Sequence, residues 1–371
     1  MKIVTIVGTR PELIKLSKII PLLDKYYNHI LIHTGQNFDY ELNQIFFKDL
    51  QIRKPDYFLN IRNQSALGTI GNILISLDDL LDKLKPDCSL IYGDTNSCLS
   101  ALALKKKKIP IFHLEAGNRS FDENIPEEIN RRIIDHISDI NLVLTEHARR
   151  YLIQEGIKQD LIIKIGSCMK EVLLYNLNNI KKSKILKILR LKKKSYFLLS
   201  FHREENVDSA SRLKDIIDSI KKISEKFKKK CIISTHPRTE KKLKNIGLYR
   251  NSSKIFFSKP LGFFDYNKLQ LNSFCTLSDS GTITEESDLL NFPAITIRDS
   301  HERPEGMDAG TLVMSGVRYE NIEKAIKMVT DKKNYLKRDF VNDYNTNCTS
   351  HKVVKIILSY TNLINKKIWF K

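Results

Sequence analysis

Polar residues whose types suit proton transfer or phosphate binding follow many of the predicted strands of this sequence. Carboxylates, which act as general acids and bases, gather in the first half, and groups that suit a phosphate gather in the second. Arg and Lys could balance the charge of a departing diphosphate. The sequence therefore predicts one domain for proton chemistry and another that holds a nucleotide diphosphate. The candidate residues are Arg10, Lys15, Asp94, Glu115, Glu127, Arg131, His202, His236, Asp279, Ser280, Glu286 and Arg303.

Residues 278–287 are the most informative single stretch for a nucleotide site. They follow an apolar run that we interpret as a buried strand, and they lead into a segment with helical spacing. Ser280 and Gly281 therefore lie where backbone N–H groups lack partners and the helix dipole is positive. Gly281 would let a phosphate approach, Ser280 offers a hydroxyl, and Glu286 could accept both hydroxyls of a ribose. A helix cap formed by Asp279 or Ser280 is the alternative explanation.

Two residues of the first half also have simpler explanations. Asp94 follows a predicted strand, where an aspartate caps a helix as often as it takes part in catalysis. His113 lies beside Leu114 in an apolar run, and we expect it to be packed in the core.

Apolar strands alternate with segments of helical spacing along the chain, and Pro21 should interrupt the first helix. Such alternation predicts parallel, doubly wound α/β sheets, whose ligand sites lie at the carboxyl ends of the strands. Two halves of this kind predict two domains that face a cleft. The predicted strands are residues 2–7, 30–34, 89–92, 109–114, 142–144 and 162–165, then 196–200, 231–235, 255–257, 274–277 and 294–298.

The same alternation predicts where the domains begin and end. Residues 1–168 form the first domain, residues 195–350 form the second, and residues 351–371 contain a final amphipathic helix. Residues 169–194 connect the two domains. Their basic part, residues 181–194, has a narrow apolar stripe and predicts a solvated helix, with a membrane-surface helix as the alternative.

Composition limits the function classes that fit this chain. With 371 residues and 42% hydrophobic residues, the protein is globular and suits two domains. No apolar run reaches the ~18 residues of a membrane span, and the first residues enter a strand without a signal sequence, so we expect a cytoplasmic protein without membrane insertion. A net charge of +19 normally suggests nucleic acid. The basic residues are widely spread, however, so we expect an anionic small substrate and no nucleic-acid partner. The six cysteines lack paired metal spacing and predict buried thiols rather than a metal site.

Several short motifs fall in one order along essentially the whole chain and together resemble the non-hydrolysing UDP-N-acetylglucosamine 2-epimerase family. The resemblance implies a GT-B architecture of two Rossmann-like domains, with UDP bound mainly by the second and a C-terminal helix packed back on the first. It also implies a homodimer. The motifs are Gly8-Thr9-Arg10-Pro11-Glu12, Gly93-Asp94-Thr95, His113-Leu114-Glu115-Ala116-Gly117, Pro126-Glu127-Glu128-Ile129-Asn130-Arg131, Ser278-Asp279-Ser280-Gly281 with Glu285-Glu286, and Glu302-Arg303-Pro304-Glu305.

Finer differences within that family resemble the branch of UDP-N-acetyl-L-fucosamine synthases. Residues 34–40, 117–122, 201–208 and 262–266 differ from the sequences usual in the glucosamine enzymes. This branch acts on UDP-2-acetamido-2,6-dideoxy-L-talose for surface polysaccharide synthesis, and UDP-GlcNAc is the alternative substrate. The departure at Asn37 also argues against the allosteric UDP-GlcNAc site that the glucosamine enzymes build partly from this region.

The resemblance further implies a mechanism at carbon 2 of a UDP-2-acetamido sugar. UDP leaves to give a 2-acetamidoglycal, adds back, and carbon 2 is protonated from the opposite face. Asp94, Glu115 and Glu127 match the carboxylates of the family, and His202 matches its catalytic histidine. No metal, nicotinamide or other cofactor is required, because cations and helix amides hold the leaving group and no net redox change occurs. The residues predicted to bind substrate or UDP are Arg10, Lys15, Arg131, His236, Ser280, Gly281, Glu286 and Arg303.

Three alternatives compete with this interpretation, and one of them, a non-catalytic nucleotide-binding regulator, is supported only by the charge of the chain. A hydrolysing epimerase would use the same elimination but would release free sugar and UDP. A GT-B glycosyltransferase would share the nucleotide-binding half and need an acceptor, and the set of carboxylates argues against it.

Overall fold

The computed structural model describes residues 1–35, 46–61, 65–331 and 339–371. Its chain divides into two units. Unit 1 contains Met1–Tyr175 and Asn342–Lys371, and unit 2 contains Asn176–Val341. The chain therefore leaves unit 1 once and returns to it near the C-terminus.

Unit 1 is built on a seven-stranded sheet in the order β3-β2-β1-β4-β5-β6-β7. All of its paired strands are parallel. The central strands are buried almost throughout, as expected for a sheet with helices on both faces. The strands are β1 (Lys2–Val7), β2 (Asn28–His33), β3 (Tyr57–Phe58), β4 (Cys88–Tyr92), β5 (Ile111–Ala116), β6 (Ile140–Val143) and β7 (Ile162–Lys164).

Helices connect these strands and bury one apolar face each. In the longest helix of unit 1, Ile73, Leu77 and Leu81 recur every fourth residue and are buried. The first helix ends at Leu16 and the next begins at Ile20, which confirms the predicted interruption near Pro21. The helices are α1 (Arg10–Leu16), α2 (Ile20–Tyr26), α3 (Ala66–Leu84), α4 (Ala101–Lys106), α5 (Pro126–Ile137), α6 (Glu146–Gln154) and α7 (Met169–Lys182).

The segment predicted to be a solvated basic helix, residues 181–194, has a different structure. Helix α7 ends at Lys182, and the short helix α8 (Ile185–Ile188) follows. Ile185 is buried in an apolar cluster with Tyr196 and Leu198. The prediction of one solvated helix is wrong, because the narrow apolar stripe anchors this segment in the core of unit 2.

Unit 2 is built on a six-stranded parallel sheet in the order β10-β9-β8-β11-β12-β13. In chain order its elements are β8 (Tyr196–Ser200), α9 (Glu204–Val207), α10 (Ala210–Phe227), β9 (Lys230–Ser234), α11 (Pro237–Asn245), β10 (Ile255–Ser258), α12 (Phe263–Asn272), β11 (Cys275–Ser278), α13 (Thr282–Leu290), β12 (Ala294–Thr296), α14 (Pro304–Asp308), β13 (Val313–Met314) and α15 (Tyr319–Thr330).

The last helix, α16 (Thr349–Ile364), belongs to unit 1. It lies against α2, where the Tyr27 hydroxyl donates a hydrogen bond of 2.7 Å to the Val354 carbonyl oxygen. Two parallel-sheet α/β units with a C-terminal helix that returns to the first confirm the predicted fold class. Within the described ranges, no helix is both long enough and apolar enough to span a membrane.

Candidate active site

In unit 1 the candidate residues follow strands β1, β4 and β5. These strands are neighbours in the sheet and run parallel, so their carboxyl ends lie at one edge. Arg10 follows β1, Asp94 follows β4, and Glu115 lies at the end of β5. The predicted strand of residues 109–114 stopped short of Glu115, whereas β5 includes it.

Glu115 has an unusual backbone conformation. Its φ is 70°, in the left-handed region, and the register with β6 shifts between Leu114 and Ala116. A bulge of this kind turns a side chain away from its regular direction, and strain of this kind is typical of functional sites. The carboxylate accepts hydrogen bonds from Lys15 Nζ and from the Tyr92 hydroxyl at the same oxygen, Oε2. Lys15 therefore holds Glu115 in place.

Asp94 is held by α5. Arg131 donates from Nε to Asp94 Oδ2 over 2.8 Å, and Asn130 donates to the Asp94 carbonyl oxygen over 2.9 Å. Arg131 also donates to the fully buried Glu128 over 2.8 Å. Burial raises the pKa of Glu128, but its bonds from the Ser120 N–H and Arg131 outweigh burial and lower it. Glu128 therefore holds the Arg131 side chain in place, and Arg131 in turn orients Asp94.

Glu127, the third predicted carboxylate, lies half-buried in the first turn of α5, directly before Glu128. Arg10, at the start of α1, places its guanidinium carbon 5.0 Å from the centre of the Phe46 ring. Unit 1 thus places Arg10, Lys15, Asp94, Glu115, Glu127 and Arg131 on its strand-end loops and the helices that follow them.

In unit 2 the candidate residues follow strands β8, β9 and β11, which are neighbours in its sheet. His202 follows β8 and His236 follows β9, and their ring centres lie 5.9 Å apart. Asp279 follows β11 and is fully buried. It accepts hydrogen bonds of 3.0 Å from the backbone N–H of His202 and that of Arg203.

The contacts of residues 278–287 argue against the alternative explanation, a helix cap. The helix α13 begins after Gly281, and no side chain caps its N-terminus. Asp279 instead binds the loop that carries His202, and its carboxylate also accepts from Asn206 over 3.0 Å. The Ser280 hydroxyl contacts that of Thr282 at 3.0 Å. Neither Asp279 nor Ser280 is an ordinary cap of this helix.

Gly281 is required by a close neighbour. A Cβ atom at this position would lie 2.3 Å from Glu302 Oε1, and Glu302 is itself bound by Arg298 over 2.7 Å. Arg303, predicted to bind UDP, is buried and lies 3.1 Å from the buried Glu285. Glu286 is buried and accepts from Gln270 over 2.6 Å. Arg303 and Glu286 are therefore buried polar residues of unit 2 that are paired with other buried polar side chains.

Within the described part of the chain, no three His, Cys, Asp or Glu side chains are grouped closely enough to hold a metal ion. Asp94 and Glu115 are paired with Arg131 and Lys15, and Asp279 is paired with two backbone N–H groups.

The family model for UDP-N-acetylglucosamine 2-epimerase matches residues 23–358. The chain belongs to this family. It is therefore an isomerase, and its two units give it the GT-B-like fold of the solved epimerases.

Three relatives show how far the similarity of this epimerase extends. A solved UDP-N-acetylglucosamine 2-epimerase from Rickettsia bellii is 52% identical, covers all of both chains and has a TM-score of 0.93. The UDP-GlcNAc 2-epimerase of Methanocaldococcus jannaschii, solved with UDP-GlcNAc and UDP, is 38% identical over 97% of this chain and 100% of its own, with a TM-score of 0.91. A UDP-2,3-diacetamido-2,3-dideoxy-D-glucuronate 2-epimerase from Pseudomonas aeruginosa is 34% identical over 88% of this chain and 92% of its own. The family thus includes enzymes for different UDP-sugars.

Sequence reasoning missed one buried residue of this epimerase, Glu12. Its carboxylate accepts from the Gly8 N–H over 2.7 Å, the Thr9 hydroxyl over 2.8 Å and the Thr95 hydroxyl over 2.7 Å. Burial raises its pKa to about 7, although these hydrogen bonds lower it. The spacing Thr9-x-x-Glu12 is that of a capping box and was the signal that could have identified it. Glu12 joins the loop before Arg10 to the loop after Asp94.

Proposed function

We propose that this epimerase interconverts UDP-GlcNAc and UDP-ManNAc without hydrolysing the sugar from UDP. The observation that carries the proposal is the state of Glu115, a carboxylate on a strained bulge with Lys15 and Tyr92 bound to one oxygen. Such a group is oriented for proton transfer before any substrate binds. Similarity over the full length to epimerases named for UDP-GlcNAc supports this choice of sugar.

The chemistry must move one proton and one leaving group. The proton on carbon 2 is weakly acidic, so its direct removal is difficult. Its removal is therefore coupled to departure of UDP: as a base takes the proton, the electron pair of the carbon 2–hydrogen bond forms a double bond between carbons 1 and 2, and the bond between carbon 1 and the diphosphate oxygen breaks with its pair going to UDP. The resulting 2-acetamidoglycal takes UDP back at carbon 1, while carbon 2 receives a proton on its other face. Asp94, Glu115 and Glu127 supply the carboxylates for these transfers.

Unit 2 supplies the groups that suit UDP. Ser280 and the loop at the start of α13 offer a hydroxyl and backbone N–H groups to phosphate. His202 and His236 lie close together, and Asp279 fixes the backbone of His202. We propose that this pair of histidines stabilises the diphosphate while it is a leaving group.

The test is turnover in D2O followed by proton and phosphorus NMR. We expect UDP-GlcNAc to give UDP-ManNAc with deuterium at carbon 2, because solvent exchanges with the proton on the catalytic carboxylate. UDP should not accumulate. Stoichiometric UDP and free sugar would identify a hydrolysing enzyme, and absence of any carbon 2 inversion would refute the proposal.

A second substrate, UDP-2-acetamido-2,6-dideoxy-L-talose, is favoured by the loop after β5. Phe121 in this loop is 63% exposed and meets the Tyr151 ring edge-on at 5.1 Å. An apolar surface suits a sugar that lacks the carbon 6 hydroxyl. Residues 36–40, which belong to another of the four differing segments and include Asn37, lie outside the described residues. The same assay with this UDP-sugar separates the two, because conversion of UDP-GlcNAc alone would exclude it. With either sugar, we propose that the product serves surface polysaccharide synthesis.

We also propose that the epimerase is a homodimer that buries an apolar face of unit 1. Helices α3, α4 and α5 lie against one another or against the turn Asn96–Ser100 between them. Leu67 and Ile75 on α3 are 80% and 72% exposed, and Ile129 on α5 is 52% exposed. Gly71, on the outer side of α3, has no neighbour within 4 Å of a Cβ atom. A glycine in a helix costs about 1 kcal/mol relative to alanine, so a close approach from a second copy would explain it.

A further inference from the structure

A histidine that the mechanism does not use is buried between the loop that carries Asp94 and the loop that follows Glu115. His113 in β5 is 1% exposed. Its Nε2 lies 2.8 Å from the carbonyl oxygen of Gly93, the residue before Asp94. Its Nδ1 lies 2.8 Å from Asp135 Oδ1. Each ring nitrogen therefore lies within hydrogen-bond distance of an oxygen atom.

Asp135, in α5, extends this connection to the loop after Glu115. Its second oxygen accepts from the Gly117 N–H over 3.1 Å and from Arg119 over 2.7 Å. Arg119 also binds Glu155 through two bonds of 2.7 and 2.6 Å. Burial raises the pKa of Asp135, but the bonds from His113 and Arg119 outweigh it and lower the pKa. The carboxylate therefore stays ionised inside the protein.

The two loops held in this way have backbone conformations that need support. Gly93 has a φ of 78°, Glu115 one of 70° and Gly117 one of 80°. A Cβ atom on Gly117 would lie 2.5 Å from the Ala148 carbonyl oxygen. Glycine adopts a positive φ readily, but for Glu115 this conformation is sparsely populated and persists only where neighbouring groups enforce it. His113 and Asp135 supply one such bond on each side of the catalytic pair.

Packing alone does not explain a charged network in this place. An apolar side chain of similar volume would fill the space of His113 without the desolvation of buried charge, and such replacements are often neutral or stabilising. The network instead delivers directional bonds to Gly93 and Gly117, one residue from Asp94 and two from Glu115. The geometry of the network therefore suits the positioning of the loops beside Asp94 and Glu115 rather than the stability of the fold.

We propose that His113 and Asp135 are a positioning pair that sets the directions of Asp94 and Glu115 for carbon 2 chemistry. This inference rests on the proposed function. His113 acts through the Gly93 carbonyl on Asp94, and Asp135 acts through the Gly117 N–H on Glu115. Neither residue is catalytic itself, because each reaches the reacting carboxylates only through the backbone.

Two substitutions of His113 separate its two bonds. In His113→Asn the amide nitrogen replaces Nδ1, so the bond to Asp135 is kept and the bond to Gly93 is lost. In His113→Gln the amide nitrogen replaces Nε2, so the bond to Gly93 is kept. We expect His113→Asn to lower kcat about 10- to 100-fold with KM changed less than about twofold, since small misplacements of catalytic groups have effects of this order. His113→Gln should keep most of kcat.

Asp139→Asn is the matched control. Asp139 is also buried, accepts from the Ile111 N–H over 2.9 Å and from Lys105 over 2.6 Å, and lies at the other end of β5. We expect it to lower the unfolding temperature without lowering kcat. Equal kcat in His113→Asn and His113→Gln, or a loss of kcat in all three variants that follows their unfolding temperatures, would overturn the proposal.

Hydrogen exchange tests the same pair independently of turnover. Peptides that cover residues 93–97 should exchange faster in His113→Asn, and peptides that cover residues 115–119 should exchange faster in Asp135→Asn, than in the wild type or Asp139→Asn. Unchanged exchange in these peptides would overturn the proposal even if the wild type is active. If the wild type inverts neither UDP-sugar, the proposed function fails, whereas the exchange result still decides whether His113 and Asp135 position the two loops.

Discussion

At the scale of single residues, Glu115 combines two unusual features. Its backbone has a left-handed conformation, and one oxygen of its carboxylate accepts hydrogen bonds from both Lys15 and Tyr92. Lys15 is buried beside it, and Lys15 Nζ also lies 5.3 Å from the centre of the Tyr92 ring. The three side chains therefore fix each other, and the carboxylate does not need to reorganise when the substrate arrives.

We expect Glu115→Gln to lower kcat by at least about 100-fold, because the amide cannot take a proton and a positioned base contributes about 10²–10⁴-fold. Tyr92→Phe should lower kcat about 10- to 100-fold, since a hydrogen bond to a charged group contributes about 1.5–3 kcal/mol. Steady-state kinetics with the UDP-sugar that turns over provides the measurement. Glu123→Gln, at an exposed carboxylate of the same unit, is the control and should leave kcat unchanged. Near-normal turnover of Glu115→Gln would remove this residue from the mechanism.

Residue types and order along the chain could be predicted, but their partners could not. The sequence indicated that Arg131 and Lys15 lie near a substrate, whereas the structure places Arg131 on Asp94 and Lys15 on Glu115. Arg303 likewise lies beside Glu285. A sequence shows that a cation is available, but which carboxylate it meets depends on helix positions that periodicity does not encode. The positive φ of Glu115 was equally hidden, since only glycine announces such a conformation in a sequence.

At the scale of elements, the loops after neighbouring parallel strands are joined by buried polar side chains. Glu12, in the first turn of α1, joins the loops after β1 and β4. His113 and Asp135 join the loops after β4 and β5. The alternation of strands and helices predicted that these loops lie at one edge of a sheet. It did not predict the bonds between them, because a charged residue in a helical pattern is normally assigned to the surface.

Glu12 should make the stability of unit 1 depend on pH. Its pKa is raised by burial from 4.5 to about 7 in the folded chain. Between these two values the unfolded chain has already lost the proton that the folded chain still holds, so stability falls as pH rises. We expect the free energy of unfolding to drop by about 2–3 kcal/mol between pH 5 and pH 8 on this account.

Urea unfolding at several pH values measures this effect. Glu12→Gln cannot ionise, so its loss of stability from pH 5 to pH 8 should be smaller than that of the wild type by the same amount. Glu320→Gln, at an exposed glutamate in the first turn of α15, should follow the wild type. A Glu12→Gln curve parallel to the wild type would show that this carboxylate is ionised at all these pH values.

At the scale of the whole molecule, the order of the motifs along the chain predicted the family and the two α/β units. The sugar is not determined in this way, because relatives of similar identity carry the names of different UDP-sugar epimerases. The residues that contact the sugar ring are few, and they lie in loops whose sequences vary within one fold. Fold and reaction class therefore follow from similarity along the whole chain, whereas the choice of sugar depends on the local chemistry of a few loops.

The oligomeric state is also a property of the whole molecule. The exposed apolar face of α3 and α5 allows it to be tested. Ile75 and Ile129 lie on helices whose opposite sides are packed in unit 1, so replacing them should not disturb the core. We expect the wild type to have the mass of a dimer in light scattering, and Ile75→Lys with Ile129→Lys to have that of a monomer. A lysine pair on two facing copies would bury unpaired charge, which is strongly unfavourable.

The control for this experiment is Leu358→Lys, at a residue of α16 that is 61% exposed. It adds charge to an equally apolar and exposed position outside the proposed interface and should leave the dimer intact. Gly71→Leu provides a test by shape rather than charge. Its side chain has open space in the single chain, so it should also weaken the dimer while improving helix propensity. A monomeric wild type, or a Gly71→Leu variant that dimerises as tightly as the wild type, would place the contact elsewhere and leave the glycine in α3 without a role in assembly.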